Sequence, residues 1–234
     1  MPILKYILGP RIPLGELRRH RWRYAAPTFV LSLARICLMC SLLMPFWHIK
    51  LKAPQYPKRD LQLNAYINRI EGDLREINGL NHYIGMRPLQ EAATMEKAIG
   101  VWGIIAMVLM VEVSMFIHSR WAVLMMLPAI LFPLAFLGDL AYWLHMFGQN
   151  LDPKAPLSNS VKPFTPPALG EGSIGQFKTI AWMGYGLWLA WIASGLSILA
   201  LFLHRMAYRP LYLRMRNKYR LMRSFKRPVQ AEPA

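Results

Sequence analysis

Long apolar blocks alternate along this chain with charged or proline-rich stretches, and four of the blocks reach the length that a bilayer demands. About 20 apolar residues in a helix cross the hydrocarbon core. The first block runs from Thr28 to Trp47 (TFVLSLARICLMCSLLMPFW) and the second from Ala98 to Ile117 (AIGVWGIIAMVLMVEVSMFI). The third runs from Trp121 to Met146 and the fourth from Ile180 to Leu203. Only His118, Ser119 and Arg120 separate the second from the third. Pro128 and Pro133 lie inside the third, where neighbouring helices can satisfy the carbonyls that proline frees. Gly184, Gly186, Ala190, Ala193 and Gly195 in the fourth let helices approach closely. The pattern predicts an all-α membrane protein with four transmembrane helices and two extracytoplasmic loops, 48–97 and 147–179.

The loops differ in character. LQLNAYI (Leu61 to Ile67) alternates apolar and polar residues, which predicts a short strand. DLREINGLNHYIGM (Asp73 to Met86) has helical spacing, with Asp73 as N-cap and Glu76 three positions on in a capping-box arrangement. Gln90 to Lys97 is expected to start a helix that runs into the second span. The first loop is therefore partly structured. The second holds five prolines, Pro153, Pro156, Pro163, Pro166 and Pro167, and is expected to be extended. Its Leu157, Phe164, Leu169, Ile174 and Phe177 suit packing over the first loop or a partner.

Charge sets an expected orientation. Hydrophobic residues make up 55% of the chain, yet the net charge is +16. Lys5, Arg11, Arg18, Arg19, Arg21 and Arg23 precede the first span. Arg205, Arg209, Arg214, Arg216, Lys218, Arg220, Arg223, Lys226 and Arg227 follow the fourth. With Arg120 these outweigh Glu16 and Glu232, the acids on the same side. By the positive-inside rule, residues 1–27 and 204–234 are cytoplasmic and the protein sits in a cell's inner membrane. The first 25 residues show no apolar stretch with a cleavage site, so the first span is expected to act as an uncleaved signal. The basic tail, with its interleaved Tyr, Leu and Met, reads as a segment held by anionic lipid rather than by nucleic acid. Trp47, Trp102, Trp121, Trp143 and Trp182 fall near the expected interfaces as anchors.

Few residues offer chemistry. Ionisable groups inside a span are functional candidates by default. Arg35 and Glu112 lie at similar depths in consecutive, antiparallel spans, so they are expected to form a structural ion pair. Asp139, near the outer end of the third span, could bond Tyr185 or Trp182, or bind something at the outer face with Asn81 and Tyr83. His48, His82 and His145 fall at or beyond outer membrane ends, and Met86 follows His82 by four residues. Imidazole with thioether suits copper, Cu(I) above all; the competing reading is interfacial histidine and methionine used as apolar filler. Cys37 and Cys40 stand mid-span and read as small apolar residues, with no disulfide framework. A phosphate loop, a zinc-protease helix and a nucleophile elbow are all missing.

The outer segments carry a resemblance. APQYP (Ala53 to Pro57), EGDLREINGLNHYIGM (Glu71 to Met86), NLDPKAPL (Asn150 to Leu157), PFTPPALG (Pro163 to Gly170) and IGQF (Ile174 to Phe177) resemble a family of small bacterial polytopic membrane proteins often encoded beside nitrous oxide reductase. The resemblance covers about half of the chain and implies an accessory role in copper delivery or assembly. Gln149 stands where the family pattern leads one to expect histidine. The chain is therefore expected to be a non-catalytic accessory subunit that docks partners in a larger membrane complex, an electron-transfer complex being one setting. The alternative is a copper-handling protein with a site at His82, Met86, His48 and His145.

Overall fold

The computed structural model describes residues 8, 14–57, 59–157, 160–174 and 177–225. Four helices in it are long and apolar enough to cross a membrane. The short α1 (Leu14–Arg19) leads into α2 (Arg21–Ser41). Strands β1 (Trp47–Lys52), β2 (Leu61–Ala65) and β3 (Ile70–Gly72) follow, then helix α3 (Leu74–Ile84). Next come α4 (Thr94–Ser114), α5 (Trp121–Gln149), strands β4 (Gly170–Ile174) and β5 (Phe177–Met183), and α6 (Tyr185–Phe225).

The bundle of α2, α4, α5 and α6 closes on apolar side chains that include Leu31, Leu38, Ile104, Val111, Met126 and Leu187. Along α6, Ala190, Ala193, Ser197 and Ala200 are fully buried, which gives the helix a narrow face for close packing. The Ser194 hydroxyl donates to the Ile130 carbonyl at 2.8 Å and ties α6 to α5. Gly195 faces open space and takes no part in this close approach.

An all-α fold is not what the chain forms, because five antiparallel strands assemble into one sheet in the order β3-β2-β1-β5-β4. The strand expected at Leu61 to Ile67 is β2. Two others overlap the ends of expected spans, at Trp47 and at Ile180 to Met183. WHIKLK alternates sides with period two, so Trp47 ends no helix but begins β1. FKTIAWM does the same, and α6 starts only after it. Span one accordingly ends at Ser41, and span four begins at Tyr185 and continues as helix to Phe225. Lys226 and Arg227 of the basic tail lie outside the described residues.

The two loops thus form one cap. Pairing of β1 with β5, Trp47 opposite Met183 through Lys52 opposite Lys178, joins loop to loop. At the junction with the bundle the Gly184 N–H donates to the Phe46 carbonyl, and the Gly186 N–H to the Pro45 carbonyl, both at 2.8 Å. Helix α3 packs its Ile77 on Leu61 and Leu63. Asp73 precedes α3, but no capping box forms: its carboxylate accepts from the Gln62 N–H at 2.8 Å, and Glu76 pairs with Arg59. The helix expected from Gln90 is broken too, with a single 3-10 turn at Leu89–Glu91 and Ala93 in the left-handed region before α4 begins.

Candidate functional site

The sheet has two unlike faces. Trp47, Ile49 and Leu51 of β1, Leu63 and Ala65 of β2, and Phe177 and Thr179 of β5 point to one side. Beneath that side is a cavity of about 210 Å³. Its other walls are α3 (Ile77, Asn81, Ile84), the start of α4 (Glu96, Lys97), and the cap end of α5 (Phe136, Asp139, Trp143, Phe147). The segment Phe164–Pro166 lies across the end of α5, with the Phe164 N–H donating to the Gly148 carbonyl at 3.0 Å.

Asn81 and Asp139, expected at an outer-face site, both line this cavity. Tyr83 does not; it is 55% exposed on the far side of α3. No bond between Asp139 and either Tyr185 or Trp182 is found among the described residues. Trp182 instead stacks on His48 across the strand pair, with Lys50 over its ring. Asp139 lies near both Glu96 and Trp143. Glu96 and Thr179 carry no sequence pattern that marks them, and Trp143 reads only as an interface anchor. The fold alone brings them to Asn81.

The histidine and methionine set is scattered. His48 lies on the sheet face turned away from the cavity, its Nδ1 2.6 Å from Asn64 Oδ1. His145 Nδ1 sits 3.1 Å from the Thr165 hydroxyl. Helix α3 ends at Ile84 because Gly85 adopts φ +82°, and the Met86 N–H then returns to the Asn81 carbonyl at 2.8 Å. His82 is therefore exposed while Met86 turns into the cavity wall, so the i, i+4 ligand pair does not form. Among the described residues no three His, Cys, Asp or Glu side chains gather as a metal-ligand group. This arrangement does not fit a copper centre built on His82, Met86, His48 and His145.

Gly85 also explains how the two loops lock. A Cβ there would lie 2.7 Å from the Asp152 carbonyl oxygen, so only glycine admits the contact. The Asp152 N–H donates to the Gly85 carbonyl at 2.8 Å, and the Leu157 N–H to the Tyr83 carbonyl at 3.0 Å. INGLNHYIGM and NLDPKAPL are thus two halves of one joint. Tyr83 and Leu157, linked by that backbone bond, both expose their side chains, Leu157 at 42%.

Within the bundle Arg35 and Glu112 form an ion pair between α2 and α4. The Arg35 guanidinium also donates to the Ser32 hydroxyl at 2.8 Å. Cys37 is buried and Cys40 exposed, both as free thiols.

At the end of the bundle opposite the cap, His118 Nδ1 lies 3.1 Å from His204 Nε2, and both rings stack on Tyr208. Tyr24 meets Tyr208 edge-on. Burial holds the His118 imidazole below its ordinary value of 6.5. The unfolded chain therefore takes up a proton near pH 6.5 that the folded chain refuses. Acidification below that point should remove up to about 1.4 kcal/mol of stability per pH unit. The melting temperature of the purified protein is expected to drop between pH 7 and 5.5, and His118→Phe to flatten that slope. A His118→Phe profile as steep as the parent's would contradict this.

Comparison with known proteins finds no protein-family model, no curated protein and no solved structure that matches this chain.

Proposed function

We propose that this chain is a non-catalytic accessory subunit of the inner membrane, whose four-helix bundle holds a rigid cap outside the cytoplasm for an extracytoplasmic partner protein. Both termini lie in the cytoplasm in this reading, where the basic tails meet anionic lipid. The single observation that carries it is the fusion of two loops into one folded cap through the β1–β5 pairing. Loops that only tether helices need no shared sheet and no joint like that of Gly85 with Asp152. Tyr83 and Leu157 supply an apolar, aromatic anchor on the cap of the kind that dominates protein interfaces. We read the likeness to the proteins encoded beside nitrous oxide reductase as a shared scaffold, since two of its segments, INGLNHYIGM and NLDPKAPL, form the joint.

Purification in mild detergent from the native membrane tests this. Tyr83→Asp combined with Leu157→Asp should leave the melting temperature within a few degrees of the parent, because both side chains face solvent. The same pair should lose the co-purifying partner. Two anchors of about 2 kcal/mol each amount to a several-hundredfold weaker interaction. Retention of the same partner at the same yield would overturn the reading.

A further inference from the structure

The cavity beneath the cap concentrates unpartnered polar atoms. Among the described residues, six buried side-chain nitrogen or oxygen atoms lack a hydrogen-bond partner. Arg35 Nε and Ser197 Oγ belong to the bundle. The other four are Asn81 Nδ2, Glu96 Oε2, Thr179 Oγ1 and Trp143 Nε1, the last near the Asp139 carboxylate but without an aligned hydrogen bond, and all four residues line the cavity. They come from four different elements, α3, α4, α5 and β5. Asn81 is 7% and Thr179 3% exposed, so bulk water does not serve them. Orphaned groups of this kind are costly, and buried polar atoms in folded proteins nearly always find a partner. Four converging on one space point to something that fills it.

Their chemistry restricts the occupant. Asn81 Nδ2 and Trp143 Nε1 can only donate, Glu96 Oε2 accepts when ionised, and the Thr179 hydroxyl does either. The Lys97 ammonium is engaged, donating to the Gln90 carbonyl at 2.7 Å. A phosphate would face the carboxyl groups of Glu96 and Asp139 and be repelled. A quaternary ammonium could accept nothing from Asn81 or Trp143. A hydroxyl group donates and accepts through one oxygen and suits the whole set. The remaining wall is apolar, with Ile49, Leu63, Ile77, Phe136 and Phe147. At about 210 Å³ the space exceeds the roughly 150 Å³ cavity that takes up benzene. It also lies against the ends of α4 and α5, two helices able to cross a membrane, so an aliphatic tail could continue into lipid.

We propose that this cavity binds a lipid with an uncharged, hydroxyl-bearing head, which hydrogen-bonds to Asn81, Glu96, Trp143 and Thr179. An isoprenoid quinol and a glycerolipid share this chemistry. The test uses the delipidated full chain in detergent and follows thermal unfolding with three probes: a decyl-substituted hydroquinone, monodecanoylglycerol and decane. At least one hydroxylated probe should raise the melting temperature saturably while decane does not. Which of the two succeeds identifies the source. Thr179→Val and Asn81→Leu each remove an orphaned atom, so the ligand-free variants should melt no lower than the parent. Both should bind the active probe tenfold or more weakly. No shift with any probe, an equal shift with decane, or parental binding by both variants would overturn the proposal and leave a cavity holding water or plain hydrocarbon.

Discussion

Gly184→Val is expected to prevent the cap from seating on the bundle. A Cβ at this position would run into the Pro45 carbonyl oxygen and stand 3.0 Å from the Phe46 carbonyl carbon. These atoms are backbone and cannot swing away. The Gly184 N–H also donates to the Phe46 carbonyl, so a shift that relieved the clash would break that bond. Overpacking against fixed atoms, with loss of a buried hydrogen bond, costs about 3–5 kcal/mol. That is a large share of a typical domain's total stability of about 5–15 kcal/mol. The variant should reach the membrane at much reduced yield and lose cap protection in a limited-proteolysis assay. Gly195→Ala is the matched control. Nothing lies within 4 Å of a Cβ there, and alanine is the better helix former by about 0.5–1 kcal/mol. Its melting temperature should equal or exceed the parent's. Equal behaviour of the two variants would show that the junction is not packed as described.

Arg35→Leu should be the most damaging single change within the bundle. It strips Glu112 of its partner in a helix able to cross the membrane. Glu112 lies in the last turn of α4, where a lone charge costs less than the roughly 2.5–3.5 kcal/mol of one at the centre of a spanning helix, about 2 kcal/mol. At roughly 2–4 °C per kcal/mol for a chain of this size, the loss is about 4–8 °C. Replacing both partners, Arg35→Leu with Glu112→Leu, should recover most of it, because an apolar pair of similar volume often matches a buried ion pair. The charge swap Arg35→Glu with Glu112→Arg should also rescue in part. A double variant no more stable than Arg35→Leu would mean that the pair does not act as a unit.

Much of the fold was legible in the sequence, and the misreadings share a physical cause. Spans announce themselves because a bilayer requires long apolar runs. A strand that abuts a span is hidden by it, since Trp47 and Ile180 to Met183 extend the apolar content of their neighbours. The period-two alternation of WHIKLK is present but six residues long, and it gives way to the hydropathy of the block before it. Asp73 shows the same limit at smaller scale. Its spacing to Glu76 fits a cap, yet β2 lies close enough to claim the carboxylate. At the candidate site, Asp139 stands out because a charge inside an apolar helix is rare. Asn81 was marked only through its place in a distinctive segment. Glu96 and Thr179 are ordinary residues in their own stretches. Their convergence depends on β5 pairing with β1, a contact between residues more than 120 apart that local pattern does not encode. Met86 falls away from His82 for a local reason, the left-handed Gly85, and a glycine after a helical run is a signal the sequence does show.

The account rests on a cap held outside the cytoplasm by four membrane-spanning helices. Cysteine labelling in intact cells measures this directly. With Cys37 and Cys40 replaced by alanine, a single cysteine is introduced at Tyr83 on the cap or at Arg214 on the tail. A membrane-impermeant maleimide should label Tyr83→Cys in whole cells and Arg214→Cys only after the membrane is opened. Labelling of Arg214→Cys in intact cells, with Tyr83→Cys protected until lysis, would contradict the orientation and, with it, the docking role of the cap.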